Sequence, residues 1–161
     1  MAIISITANT SWYIYNFRKN TILQLVKLGH SVVVISPKDE YTNKLTALGI
    51  RHINVCMDPN GINPLKDLKT LFDFYKIFKQ ENIDVVLNFT PKNNIYSTLA
   101  ASFLNKKIIN NIAGLGTVFT KNTLLSYIVR MLYRISQKKA HAVFFQNDED
   151  KDIFLSSNII T

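Results

Sequence analysis

The chain is short of the residues that make bends and cross-links: five glycines, four prolines and one cysteine in 161 residues. A lone cysteine, Cys56, excludes an internal disulfide and suits a reducing compartment. Glycine this scarce is expected where the backbone needs it, and two of the five, Gly114 and Gly116, stand together in "NIAGLGTVFT" (111–120). No apolar run approaches the ~20 residues of a membrane-spanning helix. The opening "MAIISITANT" has neither the basic start nor the apolar length of a signal peptide. The expected location is cytoplasmic, with peripheral attachment to the inner face of the cell membrane.

Motifs are missing too. A dinucleotide fingerprint, G-x-G-x-x-G, belongs in the first strand-to-helix turn. That turn holds no glycine here, and "GLGTVF" comes after the fifth predicted strand and lacks the third glycine. There is no Walker pattern and no G-x-S-x-G elbow. His30, His52 and His141 fall beside predicted strand starts and Cys56 at a strand end, without metal-ligand spacing, so each reads as a packing or edge residue and no metal is expected. A nucleotide-dependent oxidoreductase is disfavoured on these grounds.

What the chain does have is a globular composition, 47% hydrophobic and 19% charged, with a net charge of +8 and a pI near 9.6. Such a field attracts anionic lipid, phosphorylated substrates or nucleic acid. Compositional drift toward Lys, Asn and Ile accounts for it equally well.

Along the chain, apolar β-branched runs alternate with helical patterns. Strands are predicted at 2–7, 31–36, 51–56, 83–89, 106–112 and 141–146. Between them lie a helix from about Asn16, stopped at Gly29, and a short one stopped at Gly49. A helix beginning at Pro64 carries Leu65, Leu68, Leu71, Phe72, Tyr75 and Phe78 on one stripe. Helices follow at 93–105 and 122–139, and a last one starts with the acids of "DEDKDIFLSS". Strand and helix in alternation imply one domain: an α/β, doubly wound parallel sheet of about six strands.

Ligands of such sheets bind beyond the carboxyl ends of the strands. Four loops meet there: 7–18, 89–94, 111–122 and 146–150. The first three supply Asn9, Ser11, Asn16 and Arg18, then Thr90, Lys92 and Asn93, then Asn111, Gly114, Gly116 and Thr117. These groups suit a hydroxyl-rich or phosphorylated ligand, although surface loops are polar in any case. The helix 122–139 repeats Arg130, Arg134 and Lys138 beside a broad apolar face, a pattern for an anionic membrane surface or for a core helix with one solvated side. No helix-turn-helix or RNA-binding signature accompanies the charge, so no nucleic acid is expected.

Taken together, "YNFR" (15–18), "LVKLGHSVVVISPKDEYTNKL" (25–45), "NPLKDLKTL" (63–71), "TPKNNIYSTLAA" (90–101), "GLGTVFT" (114–120) and "VFFQNDED" (143–150) resemble the N-terminal domain of bacterial family 4 retaining glycosyltransferases. These build capsule, O-antigen and other glycans, and the chain looks most like the subgroup using an undecaprenyl-diphosphate-linked acceptor. The resemblance implies one Rossmann-like half (1–161) of a two-domain GT-B fold, with the acceptor held on this half. The nucleotide-sugar donor belongs to a C-terminal domain bearing an E-x7-E motif, which this chain does not contain. The implied partners are a lipid-linked saccharide, a donor-binding domain, joined or separate, and an anionic membrane. A non-catalytic partner subunit of a split transferase is the alternative. The first loop lacks the glycine pair of many relatives, and Ala113 stands where they often place Thr or Glu. No catalytic residue is nominated.

Overall fold

The computed structural model describes residues 1–58, 63–115, 119 and 123–160. Six strands, β1 (Ile3–Thr7), β2 (Ser31–Ser36), β3 (Arg51–Asn54), β4 (Val85–Asn88), β5 (Lys107–Ile112) and β6 (Ala142–Phe145), form a single sheet in the order β3-β2-β1-β4-β5-β6. Every pairing is parallel. The order reverses between β1 and β4, the switch point at whose carboxyl ends sheets of this kind form their ligand crevice.

Helices α1 (Ser11–Lys27) and α2 (Thr42–Ala47) cover one face, burying Ile14, Ile22 and Leu45 against Ile6, Val32 and Val34. On the other face α3 (Pro64–Gln80) and α4 (Thr98–Phe103) bury Phe74, Phe78, Ala100 and Ala101 over Val86 and Ile108. Beyond them α5 (Leu124–Gln137) and α6 (Asp148–Ser156) close a third cluster, in which Phe154 lies between Phe119, Tyr133 and Phe145.

The predicted alternation holds, with three corrections. First, α1 begins at Ser11 rather than near Asn16. The Thr10 hydroxyl accepts from Tyr13 N, and the Asp39 carboxylate accepts from Trp12 N at 2.9 Å, so the first turn is capped from two sides. Second, the predicted helix 93–105 opens with a π turn, Asn93–Ser97, before α4. Third, the predicted stripe of α3 is rotated. Its buried positions are Asp67, Thr70, Phe74 and Phe78, while Leu65, Leu68 and Phe72 are exposed. Two polar groups draw the helix round: Asp67 is bonded inward, as described below, and Thr70 Oγ1 donates to Cys56 O.

Gly29 and Gly49 end their helices with φ of +84° and +76°. Asn82, Asn105 and Asn158 take the same left-handed position after α3, α4 and α6, with φ near +51° to +52°. Asparagine thus does what scarce glycine does elsewhere. Asn105→Ala should lower unfolding free energy by about 1 kcal/mol, the left-handed cost for an ordinary residue. Asn105→Gly should match or exceed wild type, and denaturant unfolding of the three proteins tests this.

Candidate functional site

The β1 and β4 carboxyl ends meet through side chains. Asn9 N donates to Thr90 Oγ1 at 3.0 Å, and Thr90 Oγ1 donates to Asn93 Oδ1 at 2.7 Å. Asn93 is fully buried, and its Nδ2 has no partner among the described residues, an uncommon state for a buried donor. The two loops singled out in the sequence are therefore joined, and an unspent amide donor lies beneath the join.

Under this edge runs a buried polar network. Asn88 and Asn110 face each other in register on β4 and β5. Asn88 Oδ1 accepts from Thr7 Oγ1 (2.6 Å) and Ser97 Oγ (2.7 Å), and Asn88 Nδ2 donates to Asn110 Oδ1 (2.8 Å). Asn110 Nδ2 donates to Gln137 Oε1 (2.7 Å), and Gln137 Nε2 donates to Asn94 O (2.9 Å). Asn94 Nδ2 in turn donates to Asn111 O. The chain of bonds links β1, β4, the π turn, β5 and the end of α5. A run of Ser, Thr, Asn and Gln on nominal core positions is its signal in the sequence.

The other predicted residues fall into distinct settings. Ser11 is fully buried on the β2 side of β1, with its hydroxyl bonded to Ser36, Thr42, His52 and Pro37 O. Asn16 and Arg18 lie on α1 rather than in a loop. Asn16 is exposed and its Nδ2 donates to Trp12 O. The Arg18 guanidinium stacks 4.3 Å from the Phe89 ring centroid and donates to Tyr13 Oη, leaving Nε buried without a partner among the described residues. Lys92 Nζ is held 2.6 Å from Asp67 Oδ1, and the Tyr96 hydroxyl donates to the other carboxylate oxygen. With side-chain exposures of 16% and 12%, this ion pair ties the β4 loop to α3. Burial, and then the bond to Asp67, pushes the Tyr96 hydroxyl above its ordinary value. Asn111 Oδ1 accepts from Gln146 Nε2. Gly114 has φ of +105°, a backbone that requires glycine, behind an exposed Ala113. Gly116 and Thr117 lie outside the described residues.

The α1 N-terminus is where a dinucleotide would place its pyrophosphate. Here the carboxylate of Asp39 sits on that turn. The oxidoreductase alternative thus meets a like-charged group as well as a missing fingerprint.

The three basic residues predicted along this helix take different partners. Arg130 Nη2 donates to Phe119 O, and Arg134 donates to Ser157 O and Asn158 O at the end of α6. Lys138 is exposed at the helix C-terminus. The α5 side chains turned inward are Ser126, Tyr133, Ser136 and Gln137. Leu124, Tyr127, Ile128, Met131 and Ile135 are exposed, Leu124 at 78%. Its fully buried positions are mostly polar, with Val129 and Leu132 half-buried beside them, and its outer side is apolar and basic rather than the solvated polar side of a core helix. Among the described residues no helix is long and apolar enough to cross a membrane.

These features define a Rossmann-like α/β domain with a polar, partly unsatisfied crevice at its switch point. The chain belongs to the Glycosyl transferase 4-like family, whose pattern matches residues 4–147. It is 34% identical over 146 residues to the N,N'-diacetylbacillosaminyl-diphospho-undecaprenol alpha-1,3-N-acetylgalactosaminyltransferase of Campylobacter jejuni, covering 86% of this chain and 38% of that protein. It is 26% identical over 94 residues to the UDP-Gal:alpha-D-GlcNAc-diphosphoundecaprenol alpha-1,3-galactosyltransferase of Escherichia coli, covering 58% of this chain and 24% of that protein. The chain therefore spans well under half the length of these relatives. Similar solved structures include MurG of Acinetobacter baumannii (TM-score 0.59, 17% identity, 89% of this chain, 40% of that one). They also include a UDP-GlcNAc 2-epimerase of Methanocaldococcus jannaschii (TM-score 0.69, 20% identity, 98% and 43%). Because a transferase and an epimerase share the sheet, the fold alone does not choose the chemistry.

Two measurements check this geometry. Asn110→Leu strands the Thr98 hydroxyl and the Gln137 side-chain carbonyl and removes one of two acceptors of Asn88 Nδ2, which should cost about 2–6 kcal/mol at roughly 1–3 kcal/mol per orphaned buried group. Denaturant unfolding reads that loss. Burial lowers the pKa of His52, partly offset by the Ser36 main chain and Asp39. The unfolded chain therefore binds this proton at higher pH than the folded one. Stability from this group is complete above the ordinary imidazole value near 6.5 and falls as pH drops below it. The midpoint of wild type should decline with acidification across that window, and His52→Gln should flatten the decline.

Proposed function

We propose that this chain is the acceptor-binding domain of a glycosyltransferase that moves a sugar from a nucleotide-sugar to an undecaprenyl-diphosphate-linked saccharide. The nucleotide-sugar is bound by a separate or joined donor domain. The observation that carries the reading is the Asn9–Thr90–Asn93 join at the β1/β4 switch point, with a buried amide donor left unspent. Neutral amides and hydroxyls of this kind recognise saccharide hydroxyls, and both similar transferases are named for diphosphoundecaprenol-linked sugars.

The acceptor diphosphate needs cations, and the closed α1 N-terminus cannot serve it. Arg18 is the cation suited to this: it is pre-oriented on Phe89 beside the crevice and belongs to no ion pair among the described residues. Lys92, already paired with Asp67, contributes less charge and more loop position. The second part of the reading is peripheral attachment, through the exposed apolar and basic side of α5, to an anionic membrane carrying the acceptor.

Titration of the protein with a short-chain prenyl-diphosphate N-acetylhexosamine tests the acceptor reading. Arg18→Met should weaken binding by about tenfold or more, the worth of one charge-assisted bond. Lys92→Met should weaken it less while lowering thermal stability. Wild-type affinity in both variants, with the probe bound, would remove these residues from the site. No binding of the probe by wild type would sink the acceptor reading.

A further inference from the structure

A cavity of about 340 Å³ lies between α5 and the end of α6, apart from the crevice. Tyr127, Arg130, Met131, Arg134 and the 156–158 turn line it. Arg130 and Arg134 are one helical turn apart, so their like charges oppose each other. Neither belongs to an ion pair among the described residues. Each is instead steered by main-chain carbonyls: Arg130 by Phe119 O, Arg134 by Ser157 O and Asn158 O. Carbonyls fix the direction of a guanidinium without neutralising it. Arg130 Nε is in addition buried and has no partner among the described residues. Arg134 spends its Nε–Nη2 edge on those carbonyls, so the end-on Nη fork is what each uncompensated guanidinium keeps as a seat for a multivalent oxyanion in the shared cavity.

The apolar stripe of α5 adjoins this seat. Met131 and Tyr127 belong to both, and Leu124, Ile128 and Ile135 extend the stripe along the helix. A phosphate with water-soluble substituents would leave that stripe in water. A phosphate carrying hydrocarbon chains would cover it.

We propose that the α5–α6 cavity is a specific seat for the phosphate of an anionic membrane lipid, whose chains lie against the α5 stripe. This deepens the membrane reading of α5 given above and is independent of the acceptor crevice. Arg130 and Arg134 bind the phosphoryl oxygens, and Met131 and Ile128 enter the interfacial layer beside them.

Arginine-to-lysine exchange separates a built seat from diffuse attraction, because it keeps the charge and removes the fork. Sedimentation with phosphatidylcholine vesicles, with and without phosphatidylglycerol, should show binding only to the anionic vesicles. Arg130→Lys and Arg134→Lys should each weaken that binding by about tenfold at fixed salt. Met131→Asp, at an exposed position, should abolish it with an unchanged melting temperature, which keeps the test decisive if Arg134→Lys loosens α6. Wild-type binding by folded lysine variants would overturn the seat while leaving a diffuse membrane contact intact. Wild-type protein that ignores anionic vesicles would overturn the seat and the membrane reading together, without touching acceptor binding by the crevice. Inorganic phosphate bound as tightly as the vesicles would overturn the lipid as its occupant.

Discussion

Two asparagines side by side in the middle of a parallel sheet constrain most of what surrounds them. Asn88 and Asn110 are fully buried, and each buried amide left unbonded would cost on the order of 1–3 kcal/mol. Their partners come from β1 through Thr7, from the π turn and α4 through Ser97 and Thr98, and from α5 through Gln137. The wide π turn brings Asn94, Ser97 and Thr98 over the strands together, so the bulge and the network belong to one arrangement. Because that turn also carries Asn93 and follows Lys92, the geometry of the crevice is tied to the core beneath it.

The same demand sets the orientation of α5. With Gln137 and Ser136 turned inward to the network, the positions in phase with them, Tyr133 and Ser126, turn inward as well. The apolar residues on the opposite phase then have nowhere to go but out. In α3 the inward pull is ionic: Asp67 meets Lys92 and Tyr96, and Leu65, Leu68 and Phe72 are carried to the surface. Exposed apolar side chains on this side of the sheet thus follow from polar groups buried behind them. That gives the basic charge of the chain a setting beside apolar surface rather than one scattered over a polar shell.

The crevice and the sheet make different statements about chemistry. An all-parallel sheet of this order serves epimerases and transferases alike, so its likeness to both reports architecture. What distinguishes this chain lies in the loops: a first turn without glycine, a helix N-terminus occupied by Asp39, and amides at the switch point where a diphosphate cradle could have been. Under the proposed acceptor reading, these features favour a ligand of hydroxyls met by a single stacked arginine.

Periodicity in the sequence was enough for six strands, their alternation with helices and the helix stops at Gly29 and Gly49, because burial on both faces of a parallel sheet leaves continuous β-branched runs. The loops of the crevice followed from that alternation, and their order along the chain carried the family resemblance. The facing of α3 and α5 did not follow. Apolar spacing predicts which residues share a side of a helix, but not which side is buried when a polar partner across the core outweighs it. The same limit hid the roles of Ser11, Lys92, Arg130 and Arg134. Each looks like a free polar group in a linear reading, and its partners stand 11 to 41 residues away. Only the tertiary structure decided which groups were already bonded and which, like Asn93 Nδ2 and Arg130 Nε, were left without a partner among the described residues.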